Sequence, residues 1–207
     1  MASHNRIEMT RDSCNALKVM GCEVILVVSN HADLEGLKEF KPLLFPNEPL
    51  GAKWQFAVSE ARKLNPDLLL TCGSDDILNP NYLVNAYKIL LSGFDFVGVS
   101  QWFMEDKKKN DLWKAWYIET KQFPVGSGRL YTKKLLDKLN WQIFDVKASR
   151  RLDDKGYHHA SGFRRYVSED VDKDGLEITA IKGDWSQLNP LSKFFGVKNI
   201  GIKKIEI

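Results

Sequence analysis

Apolar positions along this chain follow two spacings. Over residues 7–20 they return every three or four positions and Gly21 follows, which predicts a helix closed by a glycine cap. Residues 23–28 (EVILVV) form instead a short unbroken apolar, β-branched run, the pattern of a strand covered on both faces. A second short strand is predicted over residues 42–45, ahead of the turn Pro46-Asn47-Glu48-Pro49. Residues 51–64 set Trp54, Ala57 and Ala61 on one helical stripe, and residues 67–72 (DLLLTC) are another buried strand. Pro80 suits the first position of a helix whose apolar face is Leu83, Tyr87 and Leu90, and residues 94–99 form a further strand. From Gln101 onward the periodicity loosens. Two more helices are predicted there, over residues 132–138 and 145–155, and Lys107–Asn110 reads as a solvated loop.

Strands alternating with helices predict an α/β protein, with a mostly parallel, Rossmann-like sheet and helices on both faces. Ligands of such sheets bind beyond the carboxyl ends of the strands, so the chemistry is expected in the loops that follow them.

Composition narrows the classes. A length of 207 residues suits one compact domain. The formal charge of +3 comes without a concentrated basic face, which argues against a nucleic-acid partner. Cys14, Cys22 and Cys72 are odd in number and lack metal-ligand spacing, so they read as free thiols of a cytoplasmic protein. No apolar run approaches the ~20 residues that span a bilayer, and no secretory signal is read.

The sharpest local feature is Gly73-Ser74-Asp75-Asp76, directly after the strand that ends at Cys72. Adjacent carboxylates in a loop repel each other unless a positive group stands beside them. A hard divalent cation, Mg²⁺ or Mn²⁺, answers that demand, and a turn in which Asp76 caps the next helix is the plainer account.

The stretch LLLTCGSDDILNPNYL resembles the DXD region of family 2 glycosyltransferases, where an apolar strand runs into Asp-Ala-Asp-Asp and a Pro-started helix. Three further segments resemble the same family in the same order. Ala2-Ser3-His4-Asn5-Arg6 is similar to its Pro-Thr-Tyr-Asn-Arg loop, Asn47–Lys53 to its glycine-rich helix start, and Phe144–Tyr157 to its Glu-Asp helix ending Arg-Leu-x-x-x-Gly-Tyr. Gly73 stands where the family has its first aspartate, and Ser29-Asn30 where it has an acidic pair. The family's first strand would precede the Ser3 loop, so a truncated or divergent form, or a missing strand, is expected.

The resemblance implies a single GT-A domain, with residues 1–100 as the nucleotide-binding half and 101–207 as the acceptor half. It implies a UDP-sugar donor, a glycan or glycoconjugate acceptor, and Mn²⁺ or Mg²⁺ held by Asp75, with Asp76 or a water completing the site and His158 as a further candidate ligand. Donor contacts fall on Ser3, His4, Asn5, Arg6, Ser29, Asn30, Lys53 and Ser74. Gly126, Ser127 and Gly128 would lie against the sugar, and a flexible turn is the other reading of that loop. Asp145 becomes the general base, with Asp153 its rival and a helix N-cap its structural alternative. Trp102, Trp113, Trp116 and Tyr117 either line a sugar site or fill the core. Residues 182–190 read as a loop over the donor. Two other functions are weighed. A nucleotidyltransferase would need a glycine-rich loop near the N-terminus, which is missing around Arg6, and a degenerate domain would bind nucleotide-sugar or glycan without catalysis.

Overall fold

The computed structural model describes residues 1–118, 124–149, 162–182, 194–195, 197 and 199–206. Its first part follows the apolar spacing closely. Helix α1 (Ile7–Val19) buries Thr10, Ser13, Cys14 and Leu17 on the expected stripe. Of the strand expected over 23–28 only β1 (Val27–Val28) is regular, pairing in parallel with β2 (Leu43–Leu44), while residues 22–26 ahead of it have no regular structure. Ala2 bridges Val27 on the other side, also in parallel. Helix α2 (His31–Gly36) is capped by Asn30, whose side chain accepts the Asp33 N–H. Helix α3 (Leu50–Lys63) turns Ala57, Val58 and Ala61 inward, and α4 (Tyr82–Leu91) buries Tyr82, Ala86 and Leu90. Between them run β3 (Leu68–Thr71) and β4 (Asp76–Leu78).

The expected mostly parallel, Rossmann-like sheet with helices on both faces is not what forms. Five of the eight strand pairings among the described residues are antiparallel. Two arrangements account for this. Strand β8 (Arg129–Thr132) inserts between β3 and β5 (Phe96–Val99) and runs against both, while β9 (Arg165–Ser168) adds to β5 in parallel. The stretch after Gln101 is a hairpin of β6 (Gln101–Asp106) and β7 (Asp111–Tyr117), joined by the exposed residues 107–110. With β11 (Ile200–Ile205), β10 (Ile178–Lys182) and β4 it builds a mixed sheet in the order β11-β7-β6-β10-β4. Trp102, Met104 and Asp106 are buried while their neighbours are half-exposed, the period of two that a half-buried strand requires. Trp102 is thus a core residue, its ring 5.2 Å from that of Tyr117.

Helix α5 (Lys133–Lys138) starts where the sequence predicts, with the Thr132 hydroxyl accepting the Leu135 N–H. The helix predicted over 145–155 is absent from its described part, since residues 145–149 form a turn. The antiparallel entry of β8 depends on Gly128. Its φ is 74°, its N–H donates to Thr71 O at 2.7 Å and its carbonyl accepts the Tyr82 hydroxyl at 2.5 Å. A Cβ there would lie 2.3 Å from Ile178 Cδ1 and 2.7 Å from Tyr82 Oη, whereas one on Gly126 would meet nothing within 4 Å.

Gly128→Ala is therefore expected to lose about 2–4 kcal/mol, from left-handed strain plus overpacking. Gly126→Ala is expected to stay within about 0.5 kcal/mol of the parent. Urea unfolding of the two variants checks this, and equal losses would contradict the packing described.

Candidate functional site

The loop after Ala2 is fastened by side chains from three other segments. Lys53, from the first turn of α3, is buried, and its ammonium donates to the Ser3 carbonyl, to the Ser29 hydroxyl and to Asn47 Oδ1, the last at 3.3 Å. Burial pushes this amine down to about 8. The Ser29 hydroxyl donates to Asn47 Oδ1 at 3.1 Å, and Ser3 and Thr10 share a hydroxyl hydrogen bond of 2.6 Å. Asp33, buried in α2, is a second fastening point. Its Oδ2 accepts the Asn5 N–H at 2.8 Å and the Asn30 amide at 3.0 Å, and that amide also donates to Asn5 Oδ1 at 2.9 Å. Asn5 takes a left-handed turn, at a φ of 54°, between His4 and Arg6.

The acidic loop meets this assembly through charge. Asp75 Oδ1 lies 3.2 Å from Arg6 Nη1, and its Oδ2 accepts a hydrogen bond from Lys182 Nζ at 3.0 Å. Lys182 is the last residue of β10, whose register sets Ala180 opposite Asp76, and the Ile181 N–H donates to Asp75 O at 2.7 Å. The Ser13 hydroxyl, from α1, donates to the buried Ser74 at its carbonyl, 3.3 Å away.

Asp76 neither caps a helix nor faces outward. It opens strand β4, and its carboxylate folds over Gly73, where a Cβ would come within 2.2 Å of Oδ2. A side chain at position 73 would therefore have to displace the Asp76 carboxylate. Burial pushes the Asp76 carboxyl up to about 6, with the Asp75 charge adding to the rise and Lys182 opposing it.

Gly126–Gly128 packs against the same loop. The Ser127 hydroxyl accepts the Gly73 N–H at 3.1 Å, and the Thr71 hydroxyl donates to Gly126 O at 3.1 Å. Asp145 arrives by another route. Gln55 of α3 accepts the N–H groups of Ile143 and Phe144 at 3.1 Å, and the Gly51 N–H donates to Ala148 O at 2.8 Å. This holds segment 141–148 along the first half of α3. Asp145 is exposed there, with Oδ1 accepting the Lys147 N–H at 2.9 Å. Trp113, Trp116 and Tyr117 are half-buried along β7. His158, Asp153 and residues 183–190 lie outside the described residues.

Sequence reasoning did not single out Asp33, and it placed Lys182 only at the start of a loop over the donor, without the Asp75 partner that the fold gives it. Asp33 carried a signal, because it stands three residues after the Asn30 helix cap, where it can fold back on the cap. Lys182, expected at the start of that loop, is instead the last residue of β10, and nothing in the sequence points to its partner 107 positions earlier.

A protein-held Mg²⁺ or Mn²⁺ keeps one or two carboxylates and takes its other oxygens from phosphate and water. Asp75 is the described carboxylate at the mouth of the loop, and both of its oxygens already face cations. Among the described residues no three His, Cys, Asp or Glu side chains converge on one point. The described donor set therefore forms no cage for a divalent cation by itself. An apolar cavity of about 590 Å³ elsewhere in the fold has no lysine or arginine in its wall, so it offers a diphosphate nothing. Among the described residues no helix is long and apolar enough to cross a membrane, and all three cysteines are free. Neither protein-family models nor curated protein sequences give a match to this chain.

Because the folded-state pKa of Asp76 is raised, its contribution to stability is full in acid and is lost as pH rises through about 6. Asp76→Asn, which stays neutral, is expected to melt above the parent at pH 7.5, by about 2–4 °C for each kcal/mol relieved. The gap should close near pH 4. Melting curves at the two pH values check this, and a pH-independent gap would contradict it.

Proposed function

We propose that this chain is a glycosyltransferase. It moves a sugar from a nucleoside diphosphate donor, a UDP-sugar being favoured, to a hydroxyl of a glycan or glycoconjugate, with inversion at the anomeric carbon. The observation that carries the reading is the bonded convergence of three loops, Ser3–Arg6, Ser29–Asn30 and Gly73–Asp76, beside two cations. Amide and hydroxyl groups next to guanidinium and ammonium suit a nucleoside joined to a diphosphate.

In this reading Ser3, His4, Asn5, Ser29 and Asn30 meet the base and ribose. Arg6, Lys182 and the Ser74 backbone face the phosphates, and Lys53 acts by holding the Ser3 and Ser29 loops in register. Mn²⁺ or Mg²⁺ entering with the donor supplies charge neutralisation of the diphosphate, with Asp75 as its protein ligand. Gly126 and Ser127 border the sugar. Asp145 takes the proton of the acceptor hydroxyl as that oxygen bonds to the anomeric carbon. The bond from this carbon to the diphosphate oxygen breaks, and its electron pair leaves with a group whose charge Arg6 and Lys182 stabilise. One carboxylate base supports one displacement, hence inversion. Three free thiols support a cytoplasmic setting.

Asp145→Asn is expected to bind UDP as the parent does while transferring sugar about 10²–10⁴-fold more slowly. Asp153→Asn should lose much less. Initial rates with UDP-glucose and a panel of glycan acceptors, beside a UDP titration, check both. Full activity in Asp145→Asn would remove this residue from the chemistry. UDP binding with no transfer by the parent to any acceptor would favour a non-catalytic domain that holds nucleotide-sugar.

A further inference from the structure

The stretch Asn47–Gln55, which leads into helix α3 and forms its first turns, is bonded to two separate parts of the molecule. On one side are the Ser3 and Ser29 loops. Asn47 Oδ1 accepts the Ser29 hydroxyl at 3.1 Å, and the Lys53 ammonium donates to the Ser3 carbonyl and to the Ser29 hydroxyl. On the other side is the segment that carries Asp145. Gln55, itself buried, makes three bonds to it. Its Nε2 donates to Trp141 O at 2.6 Å, and its Oε1 accepts the N–H groups of Ile143 and Phe144 at 3.1 Å. The Phe144 ring lies 5.4 Å from that of Trp54, and beyond Asp145 the Ser149 hydroxyl donates to Glu48.

Gly51 is the tightest point of this second contact. Its N–H belongs to the first turn of α3, where amides have no partner inside the helix, and it donates to Ala148 O at 2.8 Å. A Cβ on residue 51 would lie 1.8 Å from Asp145 O and 3.0 Å from Ala148 O. Both atoms are backbone, so no change of rotamer relieves the overlap. A side chain at position 51 has to push the turn 145–148 away from the helix. The need for this close approach accounts for a glycine in a helix that its flexibility would otherwise weaken.

Asp145 itself is exposed, and its Oδ1 accepts the Lys147 N–H of its own turn at 2.9 Å. Among the described residues, the bonds that fix the place of this turn are therefore those made to residues 48–55. We propose, on the reading of Asp145 as the general base, that residues 47–55 form the bridge that sets this carboxylate at its working distance from the donor, with Gly51 and Gln55 as its positioning residues. One short stretch holds both partners of the reaction, so their separation is set by a helix start rather than by a loop. A base acts only within hydrogen-bond reach of the hydroxyl it deprotonates, and a misplacement of about 1 Å can cost on the order of 10²-fold in rate.

Transfer from UDP-glucose to the panel of glycan acceptors, beside a UDP titration, tests this on the parent, Gly51→Ala, Gln55→Met, Asp145→Asn and the two double variants with Asp145→Asn. Gly51→Ala is expected to lower kcat by about 10–10²-fold while the Kd for UDP stays within about twofold of the parent's, because Asn47 and Lys53 still hold the donor loops. Gln55→Met removes three bonds with little change of volume and should give the same split, which keeps the test open should Gly51→Ala not fold. Both changes act through Asp145, so in the Asp145→Asn background each should cost less than about twofold more. Losses that multiply in the double variants, a matching loss of UDP affinity, or a parent-like kcat in the folded single variants would overturn the proposal and leave Asp145 as the base. Full activity in Asp145→Asn, or no transfer by the parent, would remove that reading and the proposal with it.

Discussion

Asp75 stands between two cations drawn from opposite ends of the chain, Arg6 at the head of α1 and Lys182 at the end of β10. All three side chains are mostly withdrawn from water, and each would be costly to bury alone. A lysine ammonium with 7% of its side chain exposed needs an anion within reach, and a carboxylate 15% exposed needs donors. Removing one partner of such a group typically costs about 3–5 kcal/mol, because the charge left behind has lost its water as well as its partner. The three segments are therefore held together by a shared electrostatic requirement rather than by apolar packing alone.

The rest of the charged edge can be followed outward from that point. Arg6 is fixed because Asn5 turns the chain, and Asn5 is fixed by Asp33 and Asn30. Lys53 ties the Ser3 loop to the Ser29 loop from below. On the other flank, Asp76 fills the space over Gly73, and Ser127 binds the Gly73 N–H, which brings the Gly126–Gly128 loop against the acids. Polar groups in this edge are bonded to one another through backbone and side chain, so the loops hold their positions without a ligand. Pre-ordered donors of this kind lower the entropic cost of binding a charged, flexible molecule.

Much of the fold was legible in the apolar spacing. Helices α1, α3, α4 and α5 and strands β3 and β5 fall where periodicity and end signals predict, within a residue or two. The sheet's sense was not legible. Strand β8 is four residues long, and nothing in Arg-Leu-Tyr-Thr tells whether it runs with or against its neighbours; that is set by the Gly128 turn and the Tyr82 hydroxyl that fastens it. The β6–β7 hairpin was written in the sequence as alternation, yet aromatic residues on both faces of the strands masked the period of two. In the candidate site, Asp75 stood out in the sequence as one of two adjacent carboxylates after a strand, while Arg6, Ser29 and Asn30 were marked only by the family resemblance. Asp33 escaped, and Lys182 lacked its partner Asp75, because those contacts arise from segments brought together by the fold.

This bonded edge is proposed as a nucleotide seat. A crystal structure of the protein soaked with UDP-glucose tests it most directly. The uracil and ribose are expected among Ser3, Asn5, Ser29 and Asn30, with diphosphate oxygens within hydrogen-bond reach of Arg6 and Lys182. Nucleotide lodged away from the Asp75 loop, or lying in the apolar cavity, would contradict it.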